Sequence, residues 1–149
     1  HNRAPPALGI TAQAVLSGDV AAAKLAAFLL SQGDDLPLVY SSADPAVVKA
    51  AQEQFGREAV AGAIEELFAE TARRLVDGGV TRLITAGGET SGAVVEGLGV
   101  EALEIGPEID PGVPALKAAE KPLTLALKSG NFGAPDFFEK AVRILEGGT

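Results

Sequence analysis

Two glycine-rich segments, each placed between an apolar run and a helix-like segment, are the part of the sequence best suited to chemistry. Gly-Gly-Glu-Thr-Ser-Gly occupies 87–92 after the apolar run 81–86, and Lys-Ser-Gly-Asn-Phe-Gly occupies 128–133 after the run 123–127. A strand, a turn of small residues and a helix together collect backbone N–H groups at the positive end of a helix dipole. This arrangement binds phosphate oxygens. Two such segments in one small domain predict a nucleotide or another phosphorylated ligand.

The candidate binding residues of the first segment are Gly87, Gly88, Glu89, Thr90 and Ser91. The glycines would let the backbone approach a ligand closely, and the hydroxyls of Thr90 and Ser91 would add donors at a helix start. Capping of the helix by these hydroxyls is an equally supported interpretation. The glycine spacing matches neither the P-loop nor the dinucleotide fingerprint.

The candidates of the second segment are Lys128, Gly130 and Asn131. Lys128 ends an apolar run, where a buried charge needs a partner such as a phosphate. The alternative is a lysine that extends from the sheet edge to solvent or pairs with Glu89 or Glu108. Gly130 and Asn131 suit an anion-binding backbone nest, or else a purely structural turn.

The carboxylates nearest to the two segments are those of Glu89, Glu108 and Asp110. One of them could hold Mg²⁺ directly or through water, because magnesium prefers oxygen ligands. Stabilisation of a helix dipole by Glu89 and turn hydrogen bonding by Asp110 are the favoured interpretations. The sequence therefore assigns no metal-binding residue.

Composition excludes several classes of function. The net charge is −8 without a basic patch, so nucleic acid and anionic membranes are poor partners. The chain has no cysteine, and its single histidine is His1, which excludes thiol catalysis and the usual histidine-based sites. No apolar run has the length of a membrane span, and no signal peptide opens the chain, so we expect a cytoplasmic protein. A chain without methionine is expected to be part of a longer protein.

The order of apolar patterns predicts an α/β fold with a mostly parallel sheet of about five strands and helices on both faces. We expect residues 1–6 to be a linker or frayed end and 7–149 to form one domain. The predicted strands are 7–10, 37–41, 81–86, 102–105 and 123–127, and the predicted helices are about 20–30, 45–55, 60–75, 91–98 and 135–145. Prolines and Gly112 make 108–114 a rigid segment with a turn. Ligands bind at the carboxyl ends of strands in such folds, where both glycine segments would lie.

Three motifs together resemble a known family. They are Gly-Gly-Glu-Thr-Ser-Gly at 87–92, Ile-Gly-Pro-Glu-Ile-Asp-Pro-Gly-Val-Pro at 105–114, and Leu-Ala-Leu-Lys-Ser-Gly-Asn-Phe-Gly-Ala-Pro-Asp-Phe-Phe at 125–138. They resemble the C-terminal nucleotide-binding domain of four-carbon acid sugar kinases, whose members were often labelled Hrp-dependent type III effectors. The resemblance covers roughly 38–145.

This resemblance implies an ATP-dependent kinase that phosphorylates the terminal hydroxyl of threonate, erythronate or 3-oxo-tetronate, with ATP and Mg²⁺ as cofactors. In the family, an N-terminal domain with an Asp-Asp-x-Thr-Gly motif binds the acid sugar, and that partner domain is absent from this chain. We therefore expect no catalytic residue and no kinase activity in the chain alone. A homo-oligomer is compatible with the sequence. The alternative is a non-catalytic module that binds a phosphorylated metabolite or dinucleotide.

Overall fold

Strands and helices alternate along most of the chain. The computed structural model describes residues 6–32, 37–41, 45–128 and 141–145. In chain order the elements are β1 (Ala7–Ile10), α1 (Ala12–Ser17), α2 (Ala22–Ser31), β2 (Leu38–Ser41), α3 (Pro45–Phe55), α4 (Arg57–Asp77), β3 (Arg82–Ala86), α5 (Gly88–Leu98), β4 (Leu103–Asp110), β5 (Val113–Ala118) and β6 (Thr124–Lys128). Residues 141–145 are helical. The predicted α/β class is confirmed.

The first of two compact units, His1–Leu75, contains a two-stranded parallel sheet. β1 and β2 pair with Leu8 opposite Val39. Buried Ile10, Leu25 and Leu67 join β1, α2 and α4 in one apolar cluster. α2 and α4 thus each bury apolar residues against the small sheet.

α1 is a helix that the sequence pattern does not predict. The Thr11 side chain caps it by accepting a hydrogen bond of 3.1 Å from the Ala14 N–H, and Gly18 ends it with a φ of 83°. A helix of six residues is too short to show a clear helical period, which explains the omission.

α4 carries a row of charged side chains. Arg73 Nε donates to Glu70 at 2.9 Å, and Arg74 Nε lies 3.3 Å from the same carboxylate. The hydrogen bond from Arg73 lowers the pKa of Glu70. Surface pairs of this kind contribute little stability, so this is a solvated face. No described helix has both the length and the apolar character needed to cross a membrane.

The second unit, Val76–Thr149, contains a four-stranded sheet in the order β3-β6-β5-β4. β3 and β6 are parallel, whereas β6 with β5 and β5 with β4 are antiparallel. The prediction of one mostly parallel sheet of about five strands is therefore wrong. The described residues form two sheets with six strands, and the larger sheet is mixed.

The sequence pattern does not predict β5, because the prolines in 108–114 are atypical of a strand. β4 continues to Asp110, Pro111 and Gly112 make the turn, and β5 begins at Val113. Gly112 has a φ of 82°, which favours glycine. Its N–H donates to Glu108 Oε1 at 3.0 Å, which fixes the turn. The strand pairing is irregular on both sides of Glu108, so the ladder tolerates Pro114 there.

Helical segments cover both faces of the β3–β6 pair. The Thr85 hydroxyl lies 2.7 Å from the Ser91 hydroxyl of α5. The preceding residue, Ile84, packs against a cluster that contains Ala126, Ala141 and Leu145. Neighbouring strand residues point to opposite faces. α5 and the helical residues 141–145 therefore lie on opposite sides, as predicted for helices in this unit.

The far end of α5 is held by a lysine from the turn between β5 and β6. Lys121 Nζ donates to the Leu98 carbonyl at 2.5 Å. Gly99 then ends the helix with a φ of 69°. A cation at a helix C-terminus also interacts favourably with the helix dipole. Lys121 thereby links the end of α5 to the turn between β5 and β6.

We expect Lys121→Met to lower the free energy of unfolding by about 1.5–3 kcal/mol, the usual range for a hydrogen bond to a charged group. The measurement is urea denaturation. Lys24→Met, at an exposed lysine of α2, is the control and should stay within about 0.5 kcal/mol of the wild type. Equal stability of the two variants would remove the structural role of Lys121.

Candidate functional site

The carboxyl ends of β3 and β6 lie side by side. Ala86 is the register partner of Lys128 at the last position of both strands. Immediately beyond them, the Gly87 N–H donates to the Lys128 carbonyl at 2.7 Å. The first residues of the two predicted segments are thus brought together at one edge of the sheet. Gly130 and Asn131 lie outside the described residues.

Gly87 makes the turn between β3 and α5. Its φ of 99° and ψ of 126° lie in a region that side chains disfavour, so glycine is required there. The helix begins at Gly88, three residues before the predicted start near Ser91. Gly87 is the N-cap residue and makes no side-chain capping bond. Capping by the Thr90 or Ser91 hydroxyl, the alternative interpretation, is therefore wrong.

The first turn of α5 presents backbone donors at the sheet edge. Ser91 N–H is bonded to the Gly87 carbonyl at 2.8 Å, which closes the first helical ring. The N–H groups of Gly88, Glu89 and Thr90 precede that bond and have no acceptor within the helix. Together with the dipole of an 11-residue helix, they favour an anion at this point.

Ser91 has a different role from the donors before it. Its side chain is buried, and its hydroxyl is paired with Thr85 of β3. This bond joins the strand to the helix across the glycine turn. Ser91 therefore positions the first turn of α5, while the exposed Gly88 and Glu89 face solvent.

Charge at this edge has both signs. Lys128 is half-buried at the end of β6, and Glu89 is an exposed acid in the first turn of α5. A carboxylate at that position stabilises the helix dipole, as the sequence predicts. The lysine and the helix start supply the positive potential that a phosphate requires.

The turn between β4 and β5 reaches the same edge of the sheet, which the sequence pattern does not predict. β5 runs antiparallel to β6, with Ala115 opposite Ala126. The start of β5 therefore lies beside the end of β6. Asp110 is buried at this turn. The Gly112 N–H donates to Glu108 in this turn.

The described residues contain no group of three or more His, Cys, Asp or Glu side chains that could hold a metal ion. Magnesium that accompanies a nucleotide needs only one or two carboxylates, since phosphates and water supply its other ligands. Glu89, in the first turn of α5, fits that limited requirement.

Comparison with known proteins gives consistent results. Residues 2–138 match the family described as nucleotide-binding C-terminal domain. A 3-oxo-tetronate kinase of Brucella melitensis is 47% identical over 93% of this chain, and one of Cupriavidus necator is 48% identical over 95%. The chain spans only 32% and 33% of these relatives. A crystal structure of a Haemophilus influenzae protein superposes with a TM-score of 0.87 and 42% identity, and the match covers 95% of this chain and 35% of that protein.

Proposed function

Because the chain belongs to the family of nucleotide-binding C-terminal domains, we propose that it is the ATP-binding part of a kinase that phosphorylates a four-carbon acid sugar. The observation that carries this proposal is the hydrogen bond from the Gly87 N–H to the Lys128 carbonyl. It places a helix start and a lysine at one edge of the sheet. The names of the relatives, 3-oxo-tetronate kinase, support that substrate class over threonate or erythronate.

The nucleotide site that we propose uses residues of both glycine-rich segments. The first-turn N–H groups of α5 bind phosphate oxygens, and Lys128 adds a positive charge beside them. Gly87 makes the turn through its backbone conformation, and Ser91 holds the turn through its hydrogen bond to Thr85. The proposed binding residues are Gly87, Gly88, Glu89, Thr90, Ser91, Lys128, Gly130 and Asn131.

Phosphoryl transfer depends mainly on positioning and on stabilisation of charge. The donors of α5 and Lys128 orient the phosphates and compensate their charge from the protein side. Mg²⁺, when bound with the nucleotide, neutralises phosphate charge, and Glu89 is the residue that we propose to hold it, directly or through water.

The acceptor site in this proposal lies in another part of the whole kinase. Transfer requires the acceptor hydroxyl to be held in line with the terminal phosphate. We assign no catalytic residue to this chain and propose that the N-terminal domain, its partner in the whole enzyme, supplies the acid sugar site and the base. We propose that this ATP-consuming kinase works in the cytoplasm.

The test has two parts. MgATP or MgADP is expected to raise the melting temperature of the chain more than NAD or sugar phosphates do. ATP consumption with 3-oxo-tetronate, threonate or erythronate should be absent for the chain alone and present when the N-terminal domain is supplied. A larger shift with NAD or a sugar phosphate would favour a non-catalytic binding module. Turnover by the chain alone would contradict the division of the sites.

A further inference from the structure

We infer that the turn between β4 and β5 forms the nucleoside end of the nucleotide site, and that Glu108 accepts a hydrogen bond from a ribose hydroxyl. This inference rests on the proposed function, because it extends the same site. Three features support it: the position of the turn along the sheet, the face on which Glu108 lies, and the charge of the turn.

The position of the turn follows from strand register. Leu116 pairs with Leu125, and Ala115 pairs with Ala126. Continuing this antiparallel register by two residues puts Val113 opposite Lys128. The turn therefore stands beside the end of β6, on the side away from β3. Three strand spacings separate β3 from β4, about 14 Å, so one extended nucleotide can reach from α5 to this turn.

The face of Glu108 follows from its partner across the ladder. Val113 and Ala115 pack in the cluster that contains Ala141, so Pro114, between them, points to the opposite face. Glu108 is the register partner of Pro114 and shares its face. That is the face on which α5 lies, as the bond between Thr85 and Ser91 shows. Glu108 and the start of α5 thus border the same side of the same edge.

The charge of the turn decides which end of a nucleotide it receives. Glu108 is an exposed acid, which disfavours a phosphate at this turn, whereas the start of α5 and Lys128 favour one. Ribose hydroxyls donate hydrogen bonds, and a carboxylate can accept them, as in dinucleotide-binding folds. Glu108 Oε1 is held by the Gly112 N–H. A carboxylate has acceptor capacity beyond that one bond, so Glu108 is fixed in place and still able to bind.

The experiment is calorimetric titration of the chain with MgATP and with Mg²⁺-bound 2′,3′-dideoxy-ATP. The wild type is expected to bind MgATP about tenfold more tightly, since one hydrogen bond to a charged group is lost in the analogue. Glu108→Ala should bring the MgATP affinity down to that of the analogue and leave the analogue's affinity unchanged. Glu108→Gln, whose amide oxygen can still accept a hydrogen bond from the Gly112 N–H, should also lose most of the preference for MgATP over the analogue.

The control is Glu104→Ala, at an exposed acid of β4 paired with Lys117, towards the opposite end of the strand. This variant should keep the wild-type preference for MgATP over the dideoxy analogue. Equal wild-type affinity for the two nucleotides would overturn the role of Glu108 while leaving the proposed function intact. Equal losses for both nucleotides in the Glu108 variants would overturn it as well. Failure of the wild type to bind either nucleotide would overturn the proposed function and this inference together.

Discussion

Replacement of Lys128 by alanine in the full-length kinase that we propose is expected to lower kcat by about 30-fold to 900-fold, equivalent to about 2–4 kcal/mol of lost transition-state stabilisation. Lys128 ends β6 beside the Gly87 turn, where we propose that it faces the phosphates. The charge that develops during transfer is stabilised by a preorganised cation. Steady-state kinetics with saturating ATP and acid sugar give the measurement.

The control for this variant is Lys117→Ala. Lys117 is exposed on β5 and pairs with Thr124, the first residue of β6, so it is distant from the carboxyl edge. Its kcat should remain within about twofold of the wild type, as surface substitutions away from special features are usually neutral. A folded Lys128→Ala enzyme with wild-type turnover would show that Lys128 has no role in phosphoryl transfer. Loss of folded protein in this variant, measured by circular dichroism, would instead assign Lys128 a structural role.

The second large effect is expected for Gly88→Val, which should weaken MgATP binding at least tenfold while the fold persists. Gly88 is the exposed first residue of α5. A branched side chain there obstructs the approach of a phosphate to the first-turn N–H groups, and loss of one bond to a charged group corresponds to about that factor. Valine has a higher helix propensity than glycine, so the helix itself should not be weakened. Calorimetric titration gives the affinity.

Gly92→Val is the matched control on the same helix. Gly92 is exposed, and a Cβ built on it meets nothing within 4 Å. Gly92→Val makes the same change in side-chain size and helix propensity as Gly88→Val, but position 92 lies beyond the first turn of α5. Its affinity for MgATP should equal that of the wild type. Equal effects at positions 88 and 92 would mean that the first turn of α5 does not bind the phosphates.

Much of the fold follows from local patterns, and the failures have physical causes. β3 and β6 are apolar runs bounded by turn residues, so their existence and ends were predictable. Their pairing was not, since β6 joins β3 from the far end of the chain. β5 was missed because Pro114 interrupts a strand pattern, and a proline is tolerated there by the irregular ladder opposite Glu108.

The candidate site was predictable in its residue types and less so in its geometry. Gly87 was identified as a close-approach glycine, and its positive φ is consistent with that requirement. The start of α5 was placed too late because Gly88 and Thr90 have weak helix propensity, which tertiary contacts override. The position of Glu108 depends on strand order and on a turn bond that no local pattern specifies.

The central claim is that a nucleotide binds at the edge where β3 and β6 end, and amide chemical shifts measured by NMR during a MgATP titration test it most directly. We predict saturable shifts for the amides of Gly88, Glu89, Thr90 and Lys128, with half-saturation at an MgATP concentration at least tenfold higher in Gly88→Val. Saturable shifts confined to residues 6–75, or no saturable shift at all, would contradict the account.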